Sequence, residues 1–127
     1  MPISYNRVIE YLSAIAAKGS RDVEDSPHGN FWANLSYEDF IALSVPGVTC
    51  QGNPIPLIDR SDLPTSAANS PLYLILTNSY CSKGKMPLDG PFITDADYQV
   101  TLRDGTSVSG AQIQQDLLDW LNAGFPE

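Results

Sequence analysis

The stretch Val45-Pro46-Gly47-Val48-Thr49-Cys50-Gln51-Gly52-Asn53-Pro54-Ile55-Pro56-Leu57-Ile58 decides the fold class. Pro46 fixes one backbone angle and Gly47 accepts a positive one, which is the chemistry of a turn at 45–48. Pro54, Pro56 and Pro64 each disfavour helix over the segment 49–69. Ile55, Leu57, Ile58 and Leu63 nonetheless seek burial, so this segment is expected to run as irregular, extended chain over the surface. With no strand assigned here, the rest of the sequence reads as mainly α.

On the N-terminal side, Ser4 to Lys18 reads as a helix. Val8, Ile9, Tyr11, Leu12, Ile15 and Ala16 recur at spacings of three and four, Ser4 can cap the start, and Gly19 stops the end. A polar loop, 20–30, carries Asp22, Glu24 and Asp25. The aromatic pair Phe31-Trp32 follows, and then a short helix opens at Ser36 and runs to Leu43 with Asp39 at the capping-box position. On the C-terminal side, Ser70-Pro71 reads as a helix start before Leu72 to Leu76, a run that would also suit a buried strand. Tyr98, Val100 and Leu102 alternate with polar residues, and Asp104-Gly105 turns the chain into 106–108, a small β-hairpin. Gly110 to Asn122 is the last helix, with Ile113, Leu117, Trp120 and Leu121 on one face and Gly124 as its stop. The expected fold is therefore mainly α with long irregular loops and one small β-hairpin, a single domain over 1–127, with helices 4–18 and 110–122 packed together.

Composition narrows the function. The 127 residues carry 15 acidic and 7 basic side chains, a net charge of −8. That sign disfavours nucleic acid, whose phosphates are gripped by Lys and Arg, and disfavours anionic membrane surfaces. The first residues show no apolar run of signal-peptide length behind a basic start, so a cytoplasmic location is expected. In that compartment Cys50 and Cys81 read as two reduced, partly buried thiols, with a bridge between them as the alternative that the sequence leaves open.

The final third carries an ordered set of motifs: Ser70-Pro71-Leu72-Tyr73-Leu74, then Met86-Pro87-Leu88-Asp89-Gly90-Pro91, Ile93-Thr94-Asp95, and Asp119-Trp120-Leu121-Asn122-Ala123-Gly124. Together with Leu35 to Phe40 and Val45-Pro46-Gly47, this order resembles bacterial class I cytochrome c domains over about residues 26–126. The resemblance implies a cytochrome c-like fold, with Met86 at the position of the distal haem ligand. It breaks at the attachment site. Covalent haem c needs Cys-x-x-Cys-His, and here Glu24-Asp25-Ser26-Pro27-His28-Gly29 keeps His-Gly without either cysteine. The segment 96–109, which holds the hairpin, is also extra to the pattern.

These readings give one leading function and two others. The leading expectation is a haem-free, cytochrome c-like interaction domain, an accessory subunit that meets a protein partner or its own copy, with no cofactor. Phe31 and Trp32, clustered with Tyr37 and Phe40, read first as core packing and otherwise as candidate partner-binding residues. The second is noncovalent haem held by His28 and Met86, for electron transfer or sensing. The third is a small enzyme using Cys81 or His28, toward which the sequence offers no family signature. Blue-copper chemistry needs two histidines beside a cysteine, and only His28 exists. A zinc site from Cys50, Cys81 and His28 lacks any close ligand spacing. The acids at 22–25 lack the spacing of a calcium loop, and Asp95 reads as a local cap.

Overall fold

The structure is a computed structural model that describes residues 3–19, 32, 35–59, 69–78, 80–81, 85–87 and 90–127. Helix α1 spans Tyr5–Lys18, α2 Tyr37–Ala42, α3 Pro71–Thr77 and α4 Gly110–Asn122. Strands β1 (Ser44–Cys50) and β2 (Asn53–Pro56) pair antiparallel, and so do β3 (Gln99–Thr101) and β4 (Ser107–Ser109). The expectation of a mainly α, cytochrome c-like chain with one hairpin is therefore overturned. The described residues form a mixed helix-and-strand fold with two small antiparallel sheets.

The additional hairpin is the stretch read as a turn and loose chain. Its connection is Gln51-Gly52, with φ of 51° and 80°, the pair of positive angles that lets a two-residue turn follow strand twist. Cys50 faces Asn53 and Thr49 faces Pro54, but the next matched pair is Ser44 with Pro56. Residues 45–48 thus stand opposite Ile55 alone, and a bulge absorbs Pro46-Gly47 instead of a turn ending the strand. The prolines of β2 are tolerated for a related reason. In a hairpin closed by a two-residue turn, the closing pair exchanges hydrogen bonds and the next residue directs its nitrogen outward. Pro54 occupies that position and Pro56 the equivalent one two residues on, so neither removes a donor from the ladder.

The other elements follow their local signals. Ser4 Oγ accepts the Arg7 N–H at 3.3 Å, Ser36 Oγ that of Asp39 at 3.2 Å, and Ser109 Oγ that of Gln112 at 3.1 Å, which caps α1, α2 and α4. Helix α3 starts differently. Ser70 makes no side-chain cap; it is fully buried and its Oγ accepts the Asp59 N–H at 3.0 Å, tying the chain after β2 to the start of α3. Gly19 ends α1 with an ordinary φ of −60°. The reason for glycine there is proximity, since a Cβ would lie 2.9 Å from Pro87 Cβ.

One core gathers Val8, Tyr11, Leu12 and Ile15 of α1, Leu72 and Leu76 of α3, Val100 and Val108 of the second hairpin, and Ile113, Leu117, Trp120 and Leu121 of α4. Helix α1 packs on β3, and α4 packs on α3 and β4. The two long helices also meet directly, where the Tyr11 hydroxyl donates to Asp116. The C-terminal residues fold back: Trp120 Nε1 donates to the Pro126 carbonyl at 2.7 Å, and the Tyr37 hydroxyl to the Phe125 carbonyl at 2.6 Å. Among the described residues no helix is long and apolar enough to cross a membrane.

Candidate functional site

Cys50 and Cys81 are joined in a disulfide with their Cα atoms 5.8 Å apart, within the usual range for such bonds. Of the two readings, free thiols and a bridge, the structure has the bridge. The physical reason is the first hairpin: by making 44–56 a folded unit it brings Cys50, at the end of β1, against the chain that leaves α3. A sulfur in a disulfide is neither a nucleophile nor a thiolate ligand, so Cys81 in this state has no role as catalyst or zinc ligand.

The remaining candidates separate. His28 and Phe31 lie outside the described residues, as does the acidic loop 20–30. Met86 is half-buried and packs against the core, with its N–H donating to the Ile75 carbonyl at 2.7 Å. Trp32 is 7% exposed and belongs to the core, its Nε1 donating to Ser13 Oγ at 3.2 Å. Asp95 Oδ2 accepts the Phe92 N–H at 2.9 Å, a local cap. Among the described residues no three His, Cys, Asp or Glu side chains are grouped to hold a metal ion. Of the two proposed axial haem ligands, Met86 lies half-buried against the core and His28 lies outside the described residues.

No family model, curated protein or solved structure matches the chain.

Two polar features were invisible in the sequence. The first is a small network in which Arg7 bridges to Glu10 at 3.1 Å and Asp104 at 3.6 Å, while Asp116 accepts from Tyr11 and from Gln112 at 2.7 Å. Burial, followed by the bond to Asp116, raises the Tyr11 pKa. Hydrogen bonds from Thr106 lower that of Asp104. The second is Tyr98, 3% exposed, whose hydroxyl is buried with no hydrogen-bond partner among the described residues. Lys18 Nζ lies 5.3 Å from the ring centre. Periodicity marks Tyr98 as an inward-facing strand residue but cannot say whether its oxygen finds a partner.

An unpartnered buried hydroxyl costs on the order of 1 kcal/mol or more. Tyr98→Phe is expected to stabilise the protein by ~1 kcal/mol in urea titrations; a loss of stability would mean that the oxygen has a partner. The variant should also flatten the alkaline limb. Burial, and secondarily Asp95, push the Tyr98 pKa up to about 12 from 10.0. The folded state then keeps a proton that the unfolded chain releases. Its stabilising contribution is complete below pH 10 and is lost as pH rises through about 12.

Proposed function

We propose that this chain is a protein-interaction domain, a small accessory subunit whose partner presents a basic surface. The observation that supports it is the unmatched charge on the surface. Arg7 bridges to Glu10 and Asp104, and Lys85 is engaged with Thr94 Oγ1 at 2.7 Å and the Phe92 ring. Glu38, Asp39, Asp95, Asp97, Asp119 and Glu127 lie exposed with no ion pair among the described residues. Such a field speeds association with a cationic surface and disfavours wrong partners. A homo-oligomer joined through these acids would set like charges against each other, which favours a different protein as partner.

The disulfide bears on location. In the cytoplasm such bonds are transient, whereas in oxidising compartments they persist. A cytoplasmic setting is compatible with this chain where the bond opens and closes.

The test is co-isolation from the native source at low and high salt, followed by binding of Glu38→Gln/Asp39→Asn. Retention of one defined protein that is lost as salt rises, with weaker binding by the double variant, is the expected result. A lone monomer at all salt concentrations sinks the proposal. Haem titration separates it from the electron-transfer reading: no Soret band is expected at micromolar haem. A band that vanishes in His28→Ala would replace the interaction domain with a haem protein.

A further inference from the structure

The disulfide spans a sequence separation of 31 residues, and the chain it closes off contains β2 and α3. The first hairpin, which carries Cys50, is held differently at its tip and at its base. At the tip of the first hairpin, Gln51, Gly52, Asn53 and Pro54 are all exposed, so no apolar burial fixes the tip. At the base, Leu57 is 2% exposed, its N–H donates to the Leu43 carbonyl at 3.1 Å, and its own carbonyl accepts from Leu72 at 3.0 Å. Val8 of α1 and Ile113, Leu117, Trp120 and Leu121 of α4 are fully buried outside the loop, whereas Ile55, Leu57, Ser70, Leu72 and Leu76 are buried inside it. Both cysteines are half-buried.

We infer that the Cys50–Cys81 bond is a redox-operated tether. Closed, it pins the tip of the first hairpin to the chain beyond α3; open, it releases the tip while α1, α4 and the second hairpin stay folded. Opening proceeds by thiol–disulfide exchange with a small cellular thiol such as glutathione. Its thiolate attacks one sulfur, the S–S bond breaks, and the other cysteine leaves as a thiolate that takes up a proton. A second thiolate then attacks the mixed disulfide, frees the remaining cysteine and departs as the oxidised dimer of the small thiol. The protein gains two electrons and two protons, and two small thiols become one disulfide.

Hydrogen exchange followed by mass spectrometry tests this on the full chain, oxidised and then reduced with dithiothreitol. Amide protection over 44–56 is expected to fall at least about tenfold on reduction, while that over 110–122 changes less than about twofold. Both should return on reoxidation with oxidised glutathione. The double variant Cys50→Ser/Cys81→Ser should show the same split without reductant. Unchanged protection over 44–56, or its loss over 110–122 together with the hairpin, would overturn the tether. So would two free thiols in protein isolated under oxidising conditions.

Discussion

Gly110→Ala is expected to destabilise the protein by at least ~3 kcal/mol, although alanine is the better helix former by about 0.5–1 kcal/mol. Gly110 is the first residue of α4 and is buried against the chain at Ile93. A methyl there would sit inside contact distance of the Ile93 carbonyl oxygen and 2.8 Å from its carbonyl carbon. The obstruction is backbone, not the end of a flexible side chain. Neither side is free to retreat: Ile93 is 1% exposed and its carbonyl accepts from Gln114 Nε2 at 2.9 Å, while the Gly110 N–H donates to the Tyr98 carbonyl at 2.9 Å. Relief requires α4 to shift off the second hairpin. Guanidinium denaturation of the variant checks this; stability equal to the parent would mean that the approach of 93 to 110 is looser than described.

Trp120→Ala is expected to cost about 3–5 kcal/mol, the range for deleting a large aromatic from a core. The side chain is fully buried and stacks edge-on to Phe125 with ring centres 6.2 Å apart. Its removal also strips the Pro126 carbonyl of its donor. The Phe125 N–H donates to the Trp120 carbonyl, a backbone bond that the substitution leaves in place. Two losses are therefore separable. Trp120→Phe keeps most of the volume and removes the indole donor, so its cost should be the smaller by a clear margin in the same denaturation series. Equal costs for the two variants would show that the hydrogen bond, and not the filled volume, dominates at this position.

The elements that were legible in the sequence are those whose signals are local and redundant. For α1 the apolar spacing, Ser4 before the first turn and Gly19 after the last all agree, and for α4 the apolar spacing and Gly124 do. The second hairpin combined alternation at Tyr98, Val100 and Leu102 with Asp104-Gly105, where Gly105 takes a φ of 86°. At α3 the Ser70-Pro71 signature located the start correctly for a different reason, because the serine hydroxyl serves Asp59 and not the helix. The first hairpin was hidden because its evidence is tertiary. Proline is harmless in β2 only at positions whose nitrogen faces away from β1, and sequence gives no register. Gln51-Gly52 lacks the asparagine or aspartate that normally announces such a turn. The choice between free thiols and a bridge depended on that hairpin and stayed open without it. The haem-ligand reading rested on the family pattern, and His28 and Phe31 fall outside the described residues; of the two readings of Trp32, core packing and partner docking, the structure has the first.

The outward nitrogens of Pro54 and Pro56 have a consequence for behaviour at high concentration. An exposed strand edge recruits further strands through its free N–H groups, and that is how sheets grow into aggregates. On the open side of β2 two successive donor positions carry none. The first hairpin is thereby shielded against edge-to-edge growth on that side, and a second copy of the chain cannot be seated there by extending the sheet.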